Sequence, residues 1–165
     1  MAAEHSFDVV SKVNVQELRN AISQAQKEVG TRFDFRGTSA GLDFEESSLL
    51  IHVTADHSAQ LKSVMEVLRG KLAKRGVAVN ALVWKEPESL PSGGMKQQAQ
   101  VQQGLSSEQA REITKAVKAL GLKAQPRIDG DTVRVVGKQL DDLQAVIRSL
   151  SGKDFGIPLQ FDNYR

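Results

Sequence analysis

Residues 49–72 read LLIHVTADHSAQLKSVMEVLRGKL and contain two hydrophobic patterns in succession. Leu49, Ile51 and Val53 alternate with positions that face the other way, which is typical of a strand with one buried face. From Leu61 onward the apolar side chains recur every three or four residues, which predicts an amphipathic helix. The stretch is therefore a strand followed by a helix.

The same succession recurs 82 positions later in residues 131–154, which read DTVRVVGKQLDDLQAVIRSLSGKD. Ile51 corresponds to Val133, and Leu61 corresponds to Leu143. A strand and a helix that occur twice at one constant offset indicate two units of the same architecture.

The helix upstream of each repeat supports this interpretation. Asn14 and Ser106 are predicted N-caps 92 positions apart, and each is followed three positions later by a capping-box residue, Glu17 or Gln109. Further strands are predicted at residues 7–13, 32–36, 38–44, 77–83, 95–103, 122–128, 132–136 and 158–164. We therefore predict an α+β fold of two tandem ferredoxin-like (βαββαβ) units, each an antiparallel sheet with its helices on one face. The alternative is one mixed domain in which the two patterns resemble each other by chance.

Residues 85–96 form a segment without hydrophobic periodicity. They contain Pro87, Pro91, Gly93 and Gly94, a composition that predicts a linker or a long loop. A sequential division at this segment would place one unit in residues 1–88 and the other in residues 95–165.

The sequence lacks the patterns on which most enzymes and metalloproteins depend. It has no cysteine, which excludes thiolate nucleophiles and cysteine-based metal sites. His5, His52 and His57 do not have a metal-ligand spacing, and neither a nucleophile elbow nor a phosphate-binding glycine loop is present. We expect no enzymatic activity, no catalytic residues, no metal and no cofactor.

The charges nearly balance: 22 lysines and arginines face 20 aspartates and glutamates, for a net charge of +2. This balance argues against a strong, sequence-independent polyanion binder. Aromatic residues make up only 5% of the chain, which limits base stacking. The sequence has no apolar run of about 20 residues and no signal-peptide pattern, so we expect a cytoplasmic protein without a membrane partner.

Basic residues gather at two places in the first half of the chain. Lys71, Lys74 and Arg75 lie near the end of the predicted second helix, and Arg32 and Arg36 flank two phenylalanines. Phosphate binding is the functional interpretation of the helix residues. A solvated helix end, favoured by the helix dipole, explains them as well. Arginine beside an aromatic ring suits guanine recognition.

In the second half, the candidate binding residues are Arg134 and Lys138. Strand alternation sends His52 and Arg134, which are repeat equivalents, to the open face of each sheet. An open face with basic side chains is the geometry that RNA-recognition modules use, although these strands lack the aromatic residues. Coverage of both faces by the other unit or by a second chain is the alternative.

In six segments spread over the whole chain, the sequence resembles the YajQ family of small bacterial proteins. They are SFDVVS (6–11), TRFDFRG (31–37), KLAKRG (71–76), GDTVRVVGK (130–138), DDLQ (141–144) and PLQFDNYR (158–165). Several motifs in the same order and spacing are far more specific than any one of them.

The resemblance implies two ferredoxin-like domains related by duplication, with their N-terminal strands exchanged. One unit would then comprise residues 14–103, including a strand near 96–103, and the other residues 1–13 together with 104–165. The resemblance also implies nucleotide binding, with cyclic-di-GMP and nucleic acid as ligands, and no catalytic activity.

We therefore expect a nucleotide, cyclic-di-GMP or GTP, as the principal ligand, and nucleic acid as a second one. The expected contacts are Arg32, Arg36, Lys71, Lys74, Arg75, Arg134 and Lys138. The alternative function is that of a protein–protein adaptor, which would contact a transcription factor or another partner through an open sheet face that bears His52 and Arg134.

Overall fold

Strand pairing organises the chain into two separate antiparallel sheets in the computed structural model, which describes residues 4–165. In chain order the main elements are β1 His5–Val10, α1 Val15–Thr31, β2 Gly41–Glu45, β3 Leu50–Ala55, α2 Ser58–Lys74, β4 Leu82–Trp84, β5 Glu88–Ser89, β6 Met95–Val101, α3 Ser107–Ala119, β7 Ala124–Asp129, β8 Thr132–Gly137, α4 Leu140–Ser151 and β9 Gln160–Asp162. The predicted α+β class and the antiparallel pairing are confirmed.

Each sheet belongs to a compact unit. The central unit is Val13–Gln102, and the terminal unit is Gln103–Arg165 together with the N-terminal segment up to Lys12. The strand order is β2-β3-β6-β4 in the central sheet, where β5 also pairs with β6, and β7-β8-β1-β9 in the terminal sheet. The first strand of the chain thus lies in the sheet of the last residues, and β6 lies between β3 and β4.

Both cores form as the alternation and the helical spacing predict. In the central unit, Ile51 and Val53 of β3 are fully buried against Leu18 of α1 and Leu68 of α2. In the terminal unit the core includes Phe7, Val9, Ile113, Val133, Val135, Val146 and Leu150. Burying each such side chain contributes about 1.5–3 kcal/mol, so the two apolar clusters are the main stabilising feature of the units.

The two predicted helix starts are confirmed. The Asn14 side chain accepts a hydrogen bond from the Glu17 backbone N–H at 3.2 Å. Ser106 and Gln109 form a reciprocal capping box, with distances of 3.0 and 3.2 Å. These caps satisfy backbone N–H groups that have no partner inside the helix.

The strand predicted at residues 32–36 is wrong. Phe33–Phe35 forms a single turn of 3₁₀ helix, with Phe33 86% exposed and Phe35 buried. In a strand, both rings would point to the same face, and alternation alone cannot distinguish that arrangement from a tight turn that buries only one of them.

Two further predictions differ in extent. Of the strand predicted at residues 77–83, only the end is extended, because Val79–Ala81 forms a 3₁₀ turn that exposes Val79 between buried Val77 and Ala81. The segment predicted as a linker, residues 85–96, forms a hairpin within the central unit instead, since Glu88–Ser89 pairs with β6. Gly94 makes this turn possible, because its φ is +87° and a Cβ would lie 2.9 Å from the Ala55 carbonyl oxygen.

Candidate functional site

Two of the predicted basic residues meet at one carboxylate of the central unit. Glu28, near the end of α1, lies 3.1 Å from the Lys71 ammonium of α2 and 3.9 Å from the Arg32 guanidinium. The packing of α1 against α2 therefore brings residues 39 positions apart in sequence to one surface.

The turn after α1 fixes the direction of the Arg32 side chain. Its guanidinium donates two hydrogen bonds to Asp34, at 3.0 and 2.7 Å, and lies 4.6 Å from the centre of the Phe35 ring. The hydrogen bonds from Arg32 hold the pKa of the Asp34 carboxyl below its usual value. This exposed pair contributes little to stability, but its bidentate geometry orients the guanidinium.

Phe33 and Arg36 form the open part of this turn. The Arg36 backbone N–H donates to the Phe33 carbonyl at 3.3 Å, which closes the turn while the Phe33 ring stays 86% exposed. The Arg36 side chain is also exposed, and it has no ion-pair partner among residues 4–165. An aromatic face and an unpaired guanidinium are thus available to a ligand on the same turn.

Lys74 and Arg75, the two other predicted residues at the end of α2, differ in their ion-pair contacts. Lys74 is exposed and, within the described chain, has no ion-pair partner; it follows Lys71 by three positions and lies on the same side of α2. Arg75 instead contacts Glu17 at 3.6 Å. Glu17 lies at the start of α1, about 16 Å along the helix from Glu28. Arg75 therefore contacts a different part of α1 from Lys71 and Arg32.

The structure joins Arg32 and Lys71 through Glu28. We group these two residues with the rest of the turn and with Lys74 as a candidate site, and call its residues the Phe33 cluster. They are Arg32, Phe33, Arg36, Lys71 and Lys74. Four of them are predicted contacts. Phe33 is not among the contacts predicted from the sequence. The sequence feature that indicates it is an aromatic residue directly between two charged residues, in Arg32-Phe33-Asp34.

On the face of the central sheet away from the core, His52 is held between two neighbours. Its Nε2 lies 3.3 Å from the Glu45 carboxylate, and its Nδ1 lies 3.2 Å from the Gln98 side-chain amide. The hydrogen bond with His52 lowers the pKa of the Glu45 carboxyl. His52 is therefore part of a side-chain network on its own sheet.

Arg134 occupies a similar position on the terminal sheet. Its guanidinium donates to both carboxylate oxygens of Asp8, at 2.9 and 3.4 Å, and Asn163 donates to Asp8 at 2.8 Å. Hydrogen bonding, first of all from Arg134, lowers the pKa of Asp8 although burial opposes that shift. The sequence does not reveal this contact, although a single acid within the apolar run Phe7-Asp8-Val9 is a sign of one.

Lys138, the last predicted contact, lies directly after β8 and is exposed. It lines a cavity of about 510 Å³ in the terminal unit, together with Lys123. It belongs to the terminal unit.

Residues 4–165 contain no group of three His, Asp or Glu side chains arranged to hold a metal ion. Over the same residues, no helix combines the length and the apolar character that crossing a membrane requires.

The chain is thus a small protein of two α+β units with antiparallel sheets, and its central unit exposes a phenylalanine ring beside lysine and arginine side chains. Residues 5–165 match the family described as "Nucleotide-binding protein YajQ-like". The chain belongs to the YajQ family.

Its similarity to individual relatives extends over the full length. It is 43% identical over 165 residues to a nucleotide-binding protein of Carboxydothermus hydrogenoformans, with 100% of both chains covered. It is 46% identical over 162 residues to one from Thioalkalivibrio sulfidiphilus, covering 97% of this chain and 98% of the relative. A nucleotide-binding protein of Nitrosococcus oceani is 46% identical over 160 residues, with 97% and 98% covered.

Proposed function

We propose that this protein is a non-enzymatic nucleotide-binding protein of the cytoplasm and that the Phe33 cluster is its binding site. The observation that carries the proposal is the 86% exposure of Phe33 beside the unpaired Arg36. Leaving a phenylalanine ring in water forgoes about 1.5–3 kcal/mol of burial, which a stacked base would recover. The names of the relatives support nucleotide binding as well.

The residues of the cluster suit different parts of a nucleotide. The Phe33 ring offers one stacking surface for a base, and Arg36 can donate two hydrogen bonds to O6 and N7 of guanine. Lys74 and Lys71 would supply positive charge to the phosphates. Arg32 is held by Asp34 and Glu28, so its role is to orient the turn.

The residues of the Phe33 cluster favour a guanine nucleotide such as cyclic-di-GMP or GTP over nucleic acid. One exposed ring provides one stacking position, whereas single-stranded nucleic acids are held by several aromatic residues in succession. A net charge of +2 also gives little general attraction for a long polyanion.

The adaptor function has less support. It requires His52 and Arg134 to be available to a protein partner, but His52 is engaged by Glu45 and Gln98, and Arg134 is engaged by Asp8. Breaking either network to form a new contact would cost hydrogen bonds that are already made.

We also propose that the two units are ferredoxin-like halves of a duplication that have exchanged a strand. Two features support this. The order β2-β3-β6-β4 parallels the order β7-β8-β1-β9, and β6 and β1 hold the same position. β1 precedes α1 of the central unit in the chain, and β6 precedes α3 of the terminal unit, so each sheet contains the strand that leads into the other unit's first helix.

The proposal is tested by calorimetric titration of the full chain with cyclic-di-GMP, GTP and a short single-stranded RNA at low and high salt. We expect saturable binding of a guanine nucleotide and weaker, strongly salt-dependent binding of the RNA. Recovery of the nucleotide unchanged after incubation would agree with a non-enzymatic role. An absence of binding to all three at low salt would contradict the proposal.

A further inference from the structure

Basic residues gather along β7 and β8 of the terminal sheet. In the register of the two strands, Arg127 lies directly opposite Arg134, and Ala124 lies opposite Gly137. Lys123 lies directly before β7 and Lys138 lies directly after β8, each one position beyond this last pair. The two lysines are therefore at the same end of the strand pair.

Folding alone does not favour this arrangement. Like charges directly opposite each other on neighbouring strands destabilise a sheet, because their side chains lie within about 5 Å at Cβ. Arg134 is neutralised by Asp8 at 2.9 Å. Among residues 4–165, the side chains of Lys123, Arg127 and Lys138 have no ion-pair partner.

A cavity lies where the unpaired lysines meet. Its volume is about 510 Å³, within the range of pockets for small ligands, and both Lys123 and Lys138 line it. Gln125 and Gln139 also line it, and a glutamine side chain can donate hydrogen bonds to oxygen. Among the described residues of the lining, Glu4 is the one carboxylate against two lysines, so positive charge exceeds negative charge there.

Gly137 leaves little room for a side chain at this place. A Cβ on Gly137 would lie 3.0 Å from the carbonyl oxygen of Lys123 and 3.2 Å from the Leu143 side chain. The absence of a side chain allows this close approach at the position opposite Ala124, just before Lys138.

We propose that this cavity is a second anion-binding site, independent of the Phe33 cluster, and that it binds the phosphate group of a small phosphorylated molecule. Lys123 and Lys138 neutralise the phosphate, and Gln125 and Gln139 donate hydrogen bonds to its oxygens. A bound phosphate removes the repulsion between the lysines, so binding should be coupled to the stability of the β7–β8 pair.

The test uses the full chain with Arg36→Gln and Lys74→Gln, so that the Phe33 cluster contributes as little as possible. Thermal unfolding and calorimetry are measured with pyrophosphate, GMP and ribose 5-phosphate in this background and with Lys123→Gln/Lys138→Gln added. The lysine substitutions should raise the unfolding temperature without ligand and weaken binding by at least about tenfold. Lys115→Gln/Lys153→Gln is the matched control, since it removes the same charge from exposed positions of the terminal unit outside this cavity.

A comparison of the ligands shows which part of the phosphorylated molecule the cavity recognises. Equal binding of GMP and ribose 5-phosphate assigns recognition to the phosphate group itself, and tighter binding of GMP adds a contribution from the base. Glu4→Gln should tighten binding in either case. If the Lys123/Lys138 variant keeps the ligand-induced rise in unfolding temperature, or if the control loses as much, the proposal is overturned. Neither result bears on the Phe33 cluster.

Discussion

Arg134 on β8 and Asp8 on β1 are 126 positions apart in sequence, yet they form an ion pair with two hydrogen bonds across the middle of the terminal sheet. Asp8 is only 4% exposed, and Asn163 supplies a third hydrogen bond to it. Asn163 makes this contact from a left-handed conformation, with φ at +53°. Residues from three separate parts of the chain thus meet at one buried carboxylate.

The two partners of this ion pair should respond unequally to substitution. Arg134→Met leaves the carboxylate of Asp8 buried with only the Asn163 amide, and should lower the free energy of unfolding by about 3–5 kcal/mol. Asp8→Asn should cost about 1–3 kcal/mol, because the Arg134 side chain is 31% exposed and can reach water. Urea unfolding measures both values. The reverse ranking would contradict the buried pair.

The same carboxylate predicts how stability depends on pH. Arg134 and Asn163 lower the pKa of Asp8 in the folded protein relative to the unfolded chain. The ionised carboxylate of Asp8 therefore makes its full contribution to the free energy of unfolding above the pKa of the unfolded chain, about 3.9. This contribution is lost as the pH falls through the lower pKa of the folded protein. Urea unfolding between pH 7 and pH 2.5 should show a loss of stability below about pH 4, with a shallower slope in Asp8→Asn. An identical slope in the two proteins would rule out this role.

Two glycines should have opposite effects when replaced by alanine. Gly104 has φ at +81°, and a Cβ there would clash with the Asp131 carboxylate, so Gly104→Ala should destabilise the protein by about 1–3 kcal/mol. Gly30 lies in α1 with no neighbour within 4 Å of a Cβ, so Gly30→Ala should stabilise it by about 0.5–1 kcal/mol. Thermal unfolding of the two variants checks the signs, and a shared sign would contradict the geometry.

The two phenylalanines of the 3₁₀ turn should separate folding from binding. Phe35 is buried, and Phe35→Ala should cost about 3–5 kcal/mol of unfolding free energy. Phe33 is exposed, and Phe33→Ala should change that free energy by less than about 0.5 kcal/mol. Urea unfolding at pH 7 gives both numbers. A large loss of stability in Phe33→Ala would mean that the ring has a structural role.

Local patterns are sufficient to predict the four helices. The steps of three and four residues predict α1 to α4, and the Asn14 and Ser106 caps lie where the sequence places them, because helix spacing and capping depend on residues close in the chain. The strand prediction around Phe33 is wrong, because alternation over five residues fits both a strand and a tight turn.

The site depends on contacts that no local pattern reveals. The convergence of Lys71 and Arg32 on Glu28 requires the packing of α1 against α2, and the Asp8–Arg134 pair requires the position of β1 in the terminal sheet. Arg75 shows the converse case. It directly follows Lys74 in sequence, yet it contacts Glu17 at another part of α1.

The most direct test of the nucleotide site is calorimetric titration of cyclic-di-GMP and GTP into Phe33→Ala and Arg36→Gln, compared with the unmodified chain. Tyr164→Ala and Arg111→Gln are the matched controls, because they remove an exposed ring and an exposed arginine from the terminal unit. We predict that each site variant weakens guanine-nucleotide binding by at least about tenfold, with controls within about twofold of the unmodified chain. Unchanged affinity in both site variants would contradict the account.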